Sequence, residues 1–139
     1  MTTAAQMREI IATGECATLE FKSSLRYDLR LDKVNKDLTK VVAKTIAGFL
    51  NSDGGTLLVG VDDSGTILGI GKDIETLSRK NTDYFELTMR NALAKHLGIE
   101  VSPEIGVEIV GLEEGEVAVV KCRKHPEPVY FHDGEKREF

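Results

Sequence analysis

The stretch AGFLNSDGGTLLVGVDDSGTILGIG, residues Ala47–Gly71, carries the most information about the fold. It opens as the end of a helix, which NSDGG terminates. TLLVGV follows as a continuous apolar run of strand length, a pattern typical of a strand that is covered on both faces. DDSG then predicts a tight hairpin turn into TILGI. The sequence therefore predicts a buried strand near the centre of the molecule.

The helix before this strand is predicted from about Lys33 to Asn51. Apolar side chains recur there at helical spacing, from Val34 to Phe49. Four lysines fall three or four residues apart on the opposite side, so we expect one basic helix face made of Lys33, Lys36, Lys40 and Lys44.

Two further helices and one strand are predicted on either side of this region. Residues 5–13 predict a short first helix that ends at Gly14, and Ala17–Lys22 alternates apolar and polar residues as a strand does. The polar segment 23–32 is interpreted as a loop. A second amphipathic helix is predicted from about Asp83 to Leu97, with Asp83 and Glu86 as a capping box.

The last third of the chain is rich in strand patterns. EIGVEIVGLEEGEVAVVKCRK, residues 104–124, predicts two strands around LEEGE. PVYFHDGEKREF, residues 128–139, predicts a third strand that turns at Asp133-Gly134. Helices and strands are thus mixed without regular βαβ alternation. We expect an α+β domain with a mixed, largely antiparallel sheet covered by two main helices.

Length and composition limit the class of protein. A chain of 139 residues predicts one domain, and its apolar fraction of 41% is ordinary for a globular protein. No apolar run reaches membrane-spanning length, so we expect no membrane association. The N-terminus lacks a signal-peptide pattern, and the two cysteines suit a reducing compartment, which together predict a cytoplasmic protein.

The charge is unevenly distributed along the chain. The net charge of -5 argues against a generally basic nucleic-acid binder. The segment from Lys22 to Lys44, however, contains seven Lys or Arg residues and only three Asp residues. Together with Arg26 and Arg30 in the preceding loop, the predicted lysine face could follow a phosphate backbone by charge. The alternative interpretation is an ordinary solvated helix face.

Two weaker motifs favour structural roles. Gly69–Asp73, GIGKD, resembles a phosphate-binding loop, but the glycine and the Ser or Thr that such a loop requires are replaced by Thr66 and Asp73. Cys122, His125 and His132 match no common zinc-binding spacing.

Three acidic residues are the candidates for chemistry. Glu20 and Lys22 share one face of a predicted strand, about 7 Å apart at their backbone positions. Glu15 precedes that strand, and Asp62-Asp63 follows the central strand. If the two strands are neighbours, the carboxylates can meet, and bound Mg²⁺ or Mn²⁺ would offset their repulsion. The alternative is a solvated strand face beside an ordinary turn.

Three segments together resemble the Schlafen-type Alba-like domain family. They are GECATLEFKSS (residues 14–24), the stretch at residues 47–71 quoted first, and PVYFHDGEKREF (residues 128–139). The family pattern is a glutamate, four residues and Glu-Phe-Lys, followed after a helix by AfxNtxGGxlxxGVdDxGxixG. The resemblance extends from about Gly14 to Phe139.

The resemblance implies that the chain handles nucleic acid. Bacterial members are described as DNA-binding domains of predicted transcriptional regulators, and an older description as divergent ATPases adds ATP binding as a weaker alternative. Several animal members are metal-dependent RNA endonucleases that use two glutamates and an aspartate. Those positions fall on Glu15, Glu20 and Asp63, which would hold Mg²⁺ or Mn²⁺, while the family lysine falls on Lys22. Two functions are therefore expected: RNA or DNA binding with a metal-dependent endoribonuclease site, or a non-catalytic DNA-binding module.

Two departures from the family affect the expected partners. The animal nucleases place two such domains side by side, whereas this chain has one copy, so a homodimer could supply the second half. The family pattern also continues into a further strand beyond the hairpin. We therefore expect residues 1–139 to be a single Schlafen Alba-like domain of a longer protein, with an output domain after Phe139.

Overall fold

A computed structural model describes residues 1–133 and 136–138 of the chain. Strand β1 (Leu19–Lys22) pairs in parallel with β4 (Gly55–Val59), which pairs antiparallel with β6 (Gly115–Cys122). Strand β5 (Ile105–Leu112) completes the sheet in the order β1-β4-β6-β5. The predicted mixed, largely antiparallel sheet is confirmed, and residues 56–59 of the apolar run form an inner strand of it.

Helices cover both faces of this sheet. Their bounds, in chain order, are α1 (Ala4–Thr13), α2 (Lys36–Leu50), α3 (Gly71–Glu75) and α4 (Thr82–Leu97), followed by a 3-10 helix (Ile99–Glu104). Two short ladders complete the described part: β2 (Tyr27–Asp28) with β3 (Lys33–Val34), and β7 (Phe131–Asp133) with β8 (Lys136–Glu138). Among the described residues, no helix has both the length and the apolar character needed to cross a bilayer.

The alternation of side chains along β4 divides the core in two. Leu57 and Val59 pack with α2 and α4, whereas Leu58 faces the other way and packs with Met7 of α1. Leu57, Leu58 and Val59 are each fully buried, as a continuous apolar strand requires. The two main helices, α2 and α4, therefore share one face of the sheet, and α1 lies on the other.

One predicted helix start and one predicted helix cap differ from the structure. Helix α2 begins at Lys36, because the side chain of Asn35 caps it by accepting a hydrogen bond from the Asp37 N–H at 3.0 Å. Lys33 lies before this cap, in β3, and so is not on the helix. Helix α4 is capped by Asn81, which accepts from the Tyr84 N–H at 2.7 Å, rather than by the predicted box of Asp83 and Glu86.

Two predicted connections also differ from the structure. The segment at residues 23–32, predicted as a loop, contains strand β2 of the short β2–β3 ladder. The predicted hairpin after DDSG is reduced to a single bridge between Val61 and Ile67, because the chain turns away at Gly69. The pairing of β7 with β8 agrees with the predicted C-terminal hairpin, although Gly134 of its predicted turn lies outside the described residues.

Candidate functional site

The parallel pairing of β1 with β4 determines where Asp63 lies. Lys22 at the end of β1 stands beside Val59 at the end of β4. The carbonyl oxygen of Lys22 then accepts hydrogen bonds from the N–H groups of Gly60 and Val61, at 2.8 and 3.2 Å. Because parallel strands end at the same edge of a sheet, the turn that carries Asp63 follows directly at the end of β1.

A tight turn before β1 brings Glu15 back toward Glu20. Cys16 and Leu19 exchange two backbone hydrogen bonds, at 2.9 and 3.3 Å, so the chain reverses within four residues. Partial desolvation is the main cause that raises the pKa of Glu15, and the neighbouring carboxyl groups of Glu20 and Asp63 raise it further. The Phe21 backbone has a smaller, opposite effect on this pKa.

The structure therefore places the carboxyl groups of Glu20 and Asp63 within electrostatic reach of Glu15, and the three residues are here termed the carboxylate trio. Their oxygens are the hard donors that Mg²⁺ and Mn²⁺ prefer. Among residues 1–133, however, no group of three or more His, Cys, Asp or Glu side chains is arranged so that it could hold a metal ion. The trio thus supplies a suitable donor type but not a formed three-ligand site.

Asp63 and Lys22 line a groove beside α2 that we term the Asp63 groove. Its volume is about 470 Å³. Lys22 and Arg30 contribute two positive charges, and Asp28 and Asp63 contribute two negative charges, so its charged lining is balanced. Leu29, Leu38 and Val41 form an apolar wall. The predicted role of Lys22 beside Asp63 is thus compatible with its position, whereas Arg30 lies here rather than on a lysine-rich surface.

The other side of α2 carries a groove whose charged lining is mainly positive, here termed the basic groove. It lies between α2 and α4 and has a volume of about 440 Å³. The charged and titratable groups of its lining are Arg26, Lys36, Lys40, Lys95, His96 and Asp133. Four cationic side chains therefore face one carboxylate, which makes this the more positive of the two grooves.

Lys40 is held toward the basic groove by an ion pair. Its Nζ lies 3.0 Å from Oδ1 of Asp133 and 3.7 Å from Oδ1 of Asp37. The hydrogen bond from Lys40 is the main cause that lowers the pKa of Asp133, and the same bond raises the pKa of Lys40. Both groups are consequently charged at neutral pH.

The structure divides the six predicted nucleic-acid-binding residues. Arg26, Lys36 and Lys40 line the basic groove, and Arg30 lines the Asp63 groove. Lys33 is exposed on β3. Lys44 lies over the ring of Phe131, 5.0 Å from its centroid. Lys36, Lys40 and Lys44 are thus four residues apart on one face of α2, whereas Lys33 is not part of that face, because α2 begins three residues later than predicted.

Two residues of this region were not identified from sequence. Lys95 lines the basic groove from α4. Its position could have been predicted from helical spacing, because Lys95 shares one face of α4 with the small residues Thr88 and Ala92. Asp73 is buried and accepts hydrogen bonds from the N–H groups of Leu25, Arg26 and Tyr27, at 2.7 to 2.9 Å. Burial raises the pKa of Asp73 despite these bonds.

Asp73 also explains the glycine-rich segment GIGKD. Its carboxylate points inward and fixes the loop that carries Arg26, so the segment anchors protein backbone.

A family model described as Schlafen, AlbA_2 matches residues 15–139, nearly the whole chain and all of the trio. The chain belongs to the Schlafen AlbA_2 family. The resemblance stated from the sequence motifs is therefore confirmed.

Two solved structures are similar in fold to this Schlafen AlbA_2 domain. The N-terminal domain of an ATP-dependent DNA helicase RecG-related protein from Nitrosomonas europaea is 19% identical with a TM-score of 0.62, and the match covers 100% of this chain and 90% of that one. The DIP2311 protein from Corynebacterium diphtheriae is 18% identical with a TM-score of 0.61, over 96% of this chain but only 29% of that one. At these identities the likeness shows the fold. No curated protein matches the chain.

Proposed function

We propose that this Schlafen AlbA_2 domain binds nucleic acid, RNA or DNA, through the basic groove between α2 and α4. The observation that supports it is the concentration of Arg26, Lys36, Lys40 and Lys95 around one cavity of a chain whose net charge is -5. Phosphate groups are the common anion of all nucleic acids, and a concave cationic surface concentrates them at short range.

A salt titration with charge variants tests this proposal. Replacing both Lys36 and Lys40 by Gln removes two groove cations, so we expect weaker binding. The slope of log K against log salt should also fall by about 1 for each phosphate that the variant no longer neutralises. Fluorescence anisotropy with a labelled oligonucleotide measures both quantities.

Lys121 provides the matched control for this experiment. Lys121 is exposed and lies two residues after Val119 on β6, so both side chains project from the same face of the sheet. That face is the one that α1 covers, opposite the basic groove. Lys121→Gln changes the net charge in the same direction and should leave the slope unchanged. If Lys121→Gln weakens binding and lowers the salt slope as much as the Lys36 and Lys40 double variant does, the basic groove is not the binding surface.

A metal-dependent phosphodiesterase is the second candidate function. It is supported by the parallel pairing of β1 with β4, which brings the turn of Asp63 to the end of the strand that carries Glu20, and by the tight turn that brings Glu15 back toward that strand. Mg²⁺ or Mn²⁺ would reduce the repulsion in the carboxylate trio, and Lys22 would offset phosphate charge in the adjacent groove. Because no three-ligand site is formed among the described residues, we derive no catalytic step through a metal.

Cleavage of labelled transfer RNA in the presence of Mn²⁺ distinguishes an enzyme from a binding module. An enzyme should lose activity by about 10²-fold or more in Glu20→Gln, which keeps the shape of the side chain and removes its charge. Glu9→Gln on the exposed side of α1 is the matched control. If the wild type binds RNA without cutting it, the domain is a non-catalytic module, as expected for a transcriptional regulator.

ATP binding is the weakest alternative. The inward orientation of Asp73 leaves GIGKD without the side chain that a phosphate-binding loop places on Mg²⁺.

A homodimer is a further proposal, because a second copy would double the cationic surface. Sedimentation of the chain with and without oligonucleotide tests it.

A further inference from the structure

The two grooves lie on opposite sides of one helix, and consecutive residues of α2 line them. Lys40 belongs to the basic groove, and Val41 belongs to the Asp63 groove. A nucleic-acid backbone that is bound at Lys40 therefore needs to cross only the exposed surface of α2, about 10 Å wide, to bring a nearby sugar and base to the Asp63 groove.

The Asp63 groove offers an apolar wall that is open to solvent. Val41 and Leu29 are 43% and 44% exposed, although both are large apolar residues. With Leu38 they line one side of a cavity of about 470 Å³. This volume falls in the range of about 300–1,000 Å³ that is usual for small-molecule sites.

The polar lining of the same groove suits a neutral ring with polar edges better than a polyanion. Lys22 and Arg30 are balanced by Asp28 and Asp63, so the net field on a phosphate is small. Asp28 is already engaged, because it accepts from the N–H groups of Arg30 and Leu31 and from the side chain of Asn35. Lys22, Ser23 and Asp63 remain as donors and acceptors for the edges of a base or the hydroxyls of a sugar.

We propose that the Asp63 groove binds one unpaired nucleoside of the nucleic acid whose phosphates lie in the basic groove. The base packs against Leu29, Leu38 and Val41, and its edge or sugar meets the polar wall. A base that is stacked in a duplex cannot enter such a cavity, so the domain selects single-stranded segments, bulges or loops. The inference rests on the proposed nucleic-acid binding and is independent of cleavage.

Binding of a single-stranded RNA and of the blunt duplex of the same sequence tests the inference. We expect the single strand to bind about tenfold more tightly or better at equal salt. Val41→Asn replaces the apolar wall by a polar group without a change of charge or of helix propensity. It should weaken single-strand binding about fivefold or more and leave duplex binding unchanged.

Leu87→Asn on α4 is the matched control, since Leu87 is a 50% exposed apolar residue that lines neither groove. Circular dichroism of both variants verifies folding. If single strand and duplex bind equally, or if Val41→Asn and Leu87→Asn behave alike, the nucleoside site is wrong while nucleic-acid binding stands. If neither form binds the wild type at any salt concentration, the proposed function fails, and the nucleoside site fails with it.

Discussion

At the scale of single residues, the proximity of Glu15 to the carboxyl groups of Glu20 and Asp63 is an unfavourable arrangement of charge. Glu15 is exposed to solvent, yet the charges of Glu20 and Asp63 act on its carboxyl group. Its pKa is raised by desolvation and by these neighbours. The folded state therefore disfavours the ionised form of Glu15, and the structure retains a feature that lowers stability at neutral pH.

The direction of the Glu15 pKa gives a prediction for stability against pH. Because the folded pKa lies above the unfolded value, protonated Glu15 favours the native state at low pH, and this contribution is lost as the pH rises through the folded pKa. Glu15→Gln should therefore raise the melting temperature slightly at pH 7. The difference from wild type should shrink as the pH falls below the unfolded value.

Melting curves between pH 4 and pH 8 check this prediction, with Glu9→Gln as the control for a general change of charge. A divalent ion that binds the carboxylate trio would reverse the sign of the result, since it stabilises the ionised wild type but not the variant. A melting temperature of Glu15→Gln below that of wild type in the presence of chelator would contradict the repulsion.

At the scale of elements, close backbone contacts between glycines fix the turn that carries Asp63. Gly60 and Gly69 have φ values of +105° and +77°, which side-chain-bearing residues adopt at a cost. A Cβ on Gly69 would lie 3.2 Å from Cα of Gly115, the first residue of β6. The N–H of Gly69 donates to the carbonyl oxygen of Gly60 at 2.9 Å. These contacts hold the segment after β4 against the start of β6.

Gly69→Ala and Gly48→Ala should have opposite effects on stability. At Gly69 the positive φ and the tight contact predict a loss of about 1–3 kcal/mol in the free energy of unfolding. Gly48 is exposed within α2, and a Cβ added there would meet no atom within 4 Å, so alanine should add about 0.5–1 kcal/mol. Urea unfolding of both variants measures the two changes. A stabilising Gly69→Ala would show that the turn is not constrained.

Most elements were predictable because their signals are local. The helical periodicity of residues 36–50 and the apolar run of β4 need no distant partner to be recognised. The capping residues were not, because Asn35 and Asn81 compete with nearby Asp residues, which are equally good at a helix start. The β2–β3 ladder was missed for a different reason: its loop is held by Asp73, which lies more than 40 residues away.

At the scale of the whole molecule, one sheet separates two apolar clusters. The larger cluster joins α2 and α4 to the sheet, and the smaller joins α1 to Phe21, Leu58 and their neighbours. Because β4 and β6 contribute alternate residues to both clusters, neither cluster can lose its packing without affecting the shared strands. The domain is expected to unfold as one cooperative unit.

Met7→Ala tests this cooperativity from the side away from the grooves. Met7 is fully buried, so its truncation should cost about 2–5 kcal/mol. The far-ultraviolet circular dichroism and the tyrosine fluorescence, which reports Tyr27, Tyr84 and Tyr130, should still show one coincident transition at lower denaturant. Two separate transitions would indicate that the smaller cluster unfolds independently.

The sequence by itself determined the α+β class, the buried strand and the three carboxylates, because periodicity, apolar runs and family motifs are properties of adjacent residues. Only the tertiary structure decided that β1 lies parallel to β4, which brings Asp63 to the end of the strand that carries Glu20. It also decided that the basic residues divide between two grooves and that Lys95 joins one of them. These arrangements depend on contacts between segments far apart in the chain, which no local pattern specifies.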